Sequence, residues 1–535
     1  MKNIIIKMQI ISTISFLLII SSCGNNSVHR DRYESTKYSP QVKESAEETE
    51  ADMDDGLISN DEMPPEDFNT ESYDKITENA FVSTLANPLS TFSIDVDRAA
   101  YANIRRFINN NQNPPQDAVR IEEMINYFNY SYPLPKDNLP FSVNLELANC
   151  PWNTEHQLVT IGLKGKEIDI TKVPASNLVF LLDVSGSMDE PNKLPLLKSS
   201  LKILIEKLRP ADRVAIVVYA GAAGLVLPST SCDEKYKIMA SFEQLQAGGS
   251  TAGGEGINLA YKIAKENFID GGNNRIILAT DGDFNIGESS DAAMERLIEK
   301  KREEGIFLTV LGFGMGNYKD SKMEKLSNAG NGNYAYIDNI LEAKKTLGKE
   351  FFGTIFTIAK DVKIQIEFNP AKVKGYRLIG YENRMLKNED FNNDKKDAGD
   401  IGAGHTVTAL YEIIPASSKE IIPGSDKLEY QTTNVVNSDD LMTIKLRYKE
   451  PDGAISKLIK NKISEKDIKQ GNTSQNFKWA AAVSEFGLIL RNSEFKGTSS
   501  YKHILELAKA SKGNDDEGYR AEFIKLVETS ELLSK

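Results

Sequence analysis

The stretch Asn177-Leu178-Val179-Phe180-Leu181-Leu182, followed at once by Asp183-Val184-Ser185-Gly186-Ser187, decides the fold class of this chain. A run that is apolar after its first residue describes a strand covered on both faces, since a strand with one wet face alternates. Three similar runs follow: Val214-Ala215-Ile216-Val217-Val218-Tyr219, Ile276-Ile277-Leu278-Ala279 and Ile306-Phe307-Leu308-Thr309-Val310-Leu311. After the first strand, Leu197, Leu201, Leu204 and Leu208 recur at helical spacing. Buried strands alternating with amphipathic helices predict an α/β domain over residues 173–356. Its sheet is doubly wound and mostly parallel, with ligands bound beyond the carboxyl ends of the strands. Residues 214–227 are apolar enough to raise the question of a membrane segment, but Gly221 and Gly224 mark a strand-turn-strand.

The chemistry stands at those strand ends. Asp183, Ser185 and Ser187 follow the first strand, Gly248-Gly249-Ser250-Thr251 forms a loop, and Thr280-Asp281-Gly282-Asp283 follows the Ile276 run. Two carboxylates, Asp183 and Asp281, and three hydroxyls, Ser185, Ser187 and Thr251, make an all-oxygen set suited to a small hard cation. Mg2+ retains waters and so needs few direct charges; Mn2+ and Ca2+ are the alternatives. Asp283 is given no ligand role. Asp-x-Ser-x-Ser alone is a weak signal, but joined in order by Thr251 and Asp281 on loops of one sheet it is specific. This set resembles the metal-ion-dependent adhesion site of the von Willebrand factor A domain. The resemblance implies that Asp183, Ser185, Ser187, Thr251 and Asp281 hold the ion, and that an acidic side chain of a protein partner completes its coordination. The bland alternative is a domain that keeps the fold without the ion; all five positions match the family's. Residues 248–256 are glycine-rich but lack a Gly-Lys-Ser/Thr ending, so nucleotide binding is set aside.

The flanks have other periods. Residues 87–138 read as a helical segment, with Tyr101, Ile104 and Ile108 on one face, a break at Asn113-Pro114-Pro115, and a second helix over 119–125. Asp95 and Asp97 are expected to serve a turn or a cap. Over 139–172, Phe141, Val143, Leu145 and Leu147 alternate with polar residues. The alternation returns at Val362, Ile364, Ile366 and Phe368, and again at Met442, Ile444, Leu446 and Tyr448, while Thr406-Val407-Thr408-Ala409-Leu410 adds a strand. These strands predict a β-sandwich over 139–172 and 357–470, either split by the central domain or standing apart after residue 360. Residues 471–535 are expected to be helical, with Trp479, Val483 and Phe486 on one face. Asn514-Asp515-Asp516-Glu517 reads as a helix start, because acids favour the positive end of a helix. Ser93-Ile94-Asp95-Val96-Asp97, the stretch at 119–128 and Gly518-Tyr519-Arg520-Ala521-Glu522-Phe523 resemble the flanking regions of bacterial exported von Willebrand A proteins. With them the resemblance covers most of 88–535.

The N-terminus directs the chain outward. Lys2 and Lys7 precede an apolar run ending in Ile19-Ile20-Ser21-Ser22-Cys23, the anatomy of a signal peptide over 1–22. Ile20-Ser21-Ser22-Cys23 resembles the bacterial lipobox, which implies lipidation of Cys23 and a chain held to a membrane of the cell envelope. Residues 23–86 are polar and acidic and are expected to form a disordered tether. A calcium-loop template laid on Gly56 and Glu62 fails, because Ala51 and Met53 occupy its first and third positions. The formal charge of the chain is −13, yet residues 31–80 hold sixteen acids against four bases. The folded part is therefore nearly neutral, and nothing in it forms the basic stripe of a nucleic-acid binder.

Cys150 and Cys232 are permitted a disulfide by export, with nothing in the sequence to pair them. Four histidines, His29, His156, His405 and His503, stand far apart, and no His-Glu-x-x-His or Gly-x-Ser-x-Gly occurs. The expectation is a non-enzymatic, membrane-anchored binding module. A scaffold in which the ion only stabilises the domain, and an enzyme of unrecognised type, are the alternatives.

Overall fold

The Ser176–Asp183 strand is buried along its whole length and lies in the middle of its sheet. It pairs in parallel with Arg213–Tyr219 on one side and Asn273–Thr280 on the other. The sheet runs Tyr334–Ile337, Ile306–Phe313, Asn273–Thr280, Ser176–Asp183, Arg213–Tyr219 and Ala223–Ser231, with only the last pair antiparallel. Alternate side chains serve two helix layers. Phe180 and Leu182 pack with Leu197, Leu201 and Leu204 on one face. Val179 and Leu181 pack with Ile257, Ala260 and Ala264 on the other. This is the doubly wound α/β domain that the apolar runs imply.

The structure is a computed structural model that describes residues 70–250, 253–282, 284, 290–422, 435–436, 438–469 and 471–535. The expected signal peptide at 1–22, Cys23, residues 24–69 of the tether, Thr251 and Asp283 lie outside the described residues. Among the described residues no helix is long and apolar enough to cross a membrane.

Strands from both sides of the central domain build one sandwich. Thr406–Pro415 pairs with Asn153–Gly165, which pairs with Phe141–Cys150. In the opposite sheet Thr357–Phe368 stands between Leu89–Ser93 and Asp440–Lys449. Phe141, Ile161 and Leu163 meet Ile364, Ile366, Ile444 and Leu446 in the shared core. The α/β domain is thus inserted between strands of the sandwich. Helices Gln475–Leu490, Tyr501–Ser511 and Tyr519–Leu533 pack with Ala99–Asn109 and Ile121–Asn126 around Trp479, Phe486 and Phe523.

Three expectations are corrected. The 87–138 segment is not wholly helical: Leu89–Ser93 is a sandwich strand, short and hydroxyl-rich enough to carry little periodic signal. The tether does not reach residue 86, because Thr70 onward is laid on the fold. Asn79 Nδ2 donates to Leu378 O at 3.1 Å and to Gly380 O at 2.8 Å, and Val82–Ser83 pairs with Tyr376 and Gly375. A segment's acidic average conceals such single anchors. Asp95 and Asp97 do not cap the helix that follows; both pair with Arg384, at 3.0 and 3.2 Å. Cys150 and Cys232 are separate buried thiols.

Candidate metal centre

Asp183 ends a strand whose neighbours on both sides are parallel, so three strands deliver their carboxyl ends to one place. Beyond Asp183 the chain is stitched to adjoining segments. Val184 N donates to Tyr219 O at 3.1 Å, Gly186 N to Gly249 O at 3.0 Å, and Gly248 N to Val184 O at 2.8 Å. The short turn Gly186–Asp189 buries Met188 completely, which fixes the path that presents Ser185 and Ser187.

Asp183 is fully buried. Its Oδ1 accepts from Ser185 N at 2.9 Å, and its Oδ2 accepts from Tyr219 OH at 3.0 Å and Thr280 Oγ1 at 3.2 Å. Burial pushes the Asp183 carboxyl up to about 6 against the Ser185 hydrogen bonds, and the Asp281 charge adds to the rise. Ser185 Oγ and Ser187 Oγ stand 3.1 Å apart. Asp281 is also fully buried, with its Oδ2 3.2 Å from the ammonium of Lys193. Lys193 is itself 3% exposed. Thr280 Oγ1 accepts from Gly282 N at 3.1 Å, which holds the turn after Asp281.

Of the five expected ligands, Asp183, Ser185, Ser187 and Asp281 gather at this end of the sheet, and Thr251 lies outside the described residues. The set fits a small hard cation. Two carboxylates that repel each other in a buried site are what a divalent charge relieves, and the adjacent hydroxyls supply neutral oxygen. Among the described residues no cluster of three or more His, Cys, Asp or Glu side chains offers another metal site. The reading from sequence missed Lys193, Tyr219 and Thr280. Thr280 is adjacent to Asp281 and was within reach of inspection. Nothing local marks Lys193 or Tyr219, which reach the site through the fold.

Fold and site together define a von Willebrand factor type A protein. Residues 177–349 match the von Willebrand factor type A domain family, and residues 67–160 match a family described as von Willebrand factor. Residues 353–533 match the family described as Uncharacterized protein YfbK, C-terminal. The Escherichia coli (strain K12) protein described as Uncharacterized protein YfbK is 44% identical over 478 residues, covering 86% of this chain and 81% of its own length. The chain belongs to that family: a von Willebrand factor type A domain carrying the YfbK-type C-terminal region. Uncharacterized protein sll0103 of Synechocystis sp. (strain ATCC 27184 / PCC 6803 / Kazusa) is 28% identical over 207 residues, 38% of this chain and 47% of its own. Among solved structures, a von Willebrand factor type A protein from Catenulispora acidiphila is 18% identical with a TM-score of 0.41, covering 74% of this chain and 91% of its own. The ArnB paralog VWA2 from Sulfolobus acidocaldarius is 14% identical with a TM-score of 0.35, covering 74% and 98%.

Proposed function

We propose that the chain is a metal-dependent protein-binding module. A divalent cation, Mg2+ before Mn2+ or Ca2+, sits at Asp183, Ser185, Ser187, Thr251 and Asp281 and bridges to a carboxylate of a protein partner. The observation that carries this reading is the convergence of Asp183, Ser185, Ser187 and Asp281 with Lys193 among them. Two carboxylates balance a dication, and the Lys193 ammonium, which also pairs with Glu190 at 3.4 Å, balances that third acid, so a further carboxylate meets no net negative charge at the ion.

The module acts by binding rather than by catalysis. Ser185 and Ser187 hydrogen-bond each other, while His156 is held between Glu412 and Glu420 and His503 faces Glu485. Location in a bacterial cell envelope, through a lipid on Cys23, rests on the signal-like residues 1–23.

The test is crosslinking in the native envelope, wild type against Asp183→Ala, with and without chelator. Both treatments are expected to abolish the partner crosslink, and acidic peptides to compete with it. A crosslink that survives both sinks the reading. A chelator effect on melting temperature alone, with no peptide competition, assigns the ion to scaffolding.

A further inference from the structure

Asp281 and Lys193 share a neighbour, the loop that follows the Ile306–Phe313 strand. Gly282, with φ +102°, has no room for a side chain: a Cβ there would stand 2.7 Å from Lys319 N and 3.0 Å from Tyr318 Cα. Gly314, with φ +76°, is similarly closed in by the aliphatic stem of Lys193. One end of the loop therefore touches the backbone just after ligand Asp281. The other touches the lysine whose ammonium faces the same carboxylate.

The chain segment that fastens this loop is 245 residues earlier in sequence. Thr70 N donates to Gly316 O at 2.7 Å and Ser72 N to Tyr318 O at 3.1 Å, and Ser72 bridges Lys319 in parallel. Lys319 Nζ donates to Thr70 O. Between them Glu71, its side chain 3% exposed, works in two directions. Its Oε1 accepts from Gly316 N at 2.8 Å. The same carboxylate takes the two terminal Arg106 nitrogens, Nη1 on Oε1 and Nη2 on Oε2, each at 2.8 Å, and Tyr73 OH at 2.8 Å. Arg106 comes from helix Ala99–Asn109, outside the α/β domain, and accepts no substitute easily: a bidentate guanidinium–carboxylate pair fixes orientation as well as distance. Burial would raise the Glu71 carboxyl, but the Arg106 hydrogen bonds and charge outweigh it and leave it below the usual range.

We propose that Glu71 and Arg106 are positioning residues for the metal centre. Their clasp sets the backbone of residues 314–319, and that backbone sets the Asp281 carboxylate and the Lys193 ammonium. The inference rests on the metal-centre reading above. Coupling between two sites is reciprocal, so releasing the clasp weakens the ion, and the ion tightens the clasp.

The experiment uses the full mature chain, titrated calorimetrically with Mg2+ and with Mn2+, and followed by amide exchange. Glu71→Gln is expected to weaken ion binding about five- to thirtyfold while the circular dichroism spectrum is kept. In the wild type, Mg2+ is expected to slow exchange at the Ser72 and Gly316 amides, and not to do so in Asp183→Ala. Ser72→Pro removes one exposed backbone bond of the arm with Glu71 and Arg106 left in place, and is expected to act in the same direction if Glu71→Gln folds poorly. A purely structural clasp would lower the melting temperature and leave both readouts unmoved. Wild-type binding with unchanged affinity in the folded variants, or with metal-indifferent exchange at these amides, overturns this inference alone. A wild type that binds no divalent ion overturns it together with the reading of the centre.

Discussion

Lys193 is the residue that local sequence least prepares one to find. It precedes an apolar helix, Leu194–Lys207, in a position where a surface lysine would be ordinary, yet its ammonium is buried against Asp281. There it is a resident cation beside the proposed metal centre. Lys193→Met is expected to tighten divalent binding about tenfold, because it removes a buried positive charge that repels the ion. The same variant is expected to melt lower than wild type in chelator, and to recover most of the difference when Mg2+ is added. Calorimetric titration and paired melts check both. Asp183, Ser185, Ser187 and Asp281 were legible because strand ends are local and their spacing is written in adjacent residues. Lys193 and Tyr219 were not, since their roles depend on how the loops fold back over the sheet.

Helix Gln475–Leu490 shows what is legible one level up. Its existence and its Trp479–Val483–Phe486 face follow from spacing, and Ser474 caps it by accepting Phe477 N at 3.0 Å. The sequence face understates its burial, however: Ala480, Ala481, Ala482, Ser484 and Glu485 are enclosed as well. Small residues let neighbouring elements close around the helix, and period alone does not report that. Burial raises the Glu485 carboxyl to about 8, and its Oε2 lies 3.1 Å from His503 Nδ1 on the next helix. A carboxyl whose folded pKa lies above its unfolded value stabilises fully below the unfolded value, near 4.5, and loses that contribution as pH rises through 8. Relative to Glu485→Gln, wild type is therefore expected to lose stability from about pH 4.5 to about pH 8 and to level off above that. The loss is a few kcal/mol, on the order of the linkage for such a shift. Melting curves of the two proteins across that range check the sign and the window. Strand Leu89–Ser93 marks the opposite limit: five residues, two of them apolar, are specified by their partner strand more than by themselves.

At the scale of the molecule, the alternating segments at 141–147, 362–368 and 442–448 disclosed a sandwich, but not which strands pair, because alternation records a wet face and no partner. Pairing before and after the insertion makes the α/β domain a guest in the sandwich, and buried charge fastens it to the helical layer. Arg105, with its side chain 2% exposed, pairs with Asp338, with Glu342 at 2.7 Å and with Glu522 at 2.9 Å. It also donates to Tyr127 OH at 3.1 Å. Those acids belong to the end of the α/β domain and to the last helix, so one guanidinium joins parts that the sequence lists far apart. Arg105→Met is expected to destabilise by about 3–5 kcal/mol in urea unfolding, since it strands carboxylates that burial disfavours. Adding Glu342→Gln is expected to return part of that. The arm at Thr70–Tyr73 gives this architecture a direction. Among the described residues, tension drawn along the chain from its N-terminal side meets the Glu71–Arg106 pair and, with it, the Thr70 and Ser72 backbone bonds. Those bonds end on the loop beside Asp281. On the proposed reading, a chain held by that end would feel a pull beside the proposed metal centre.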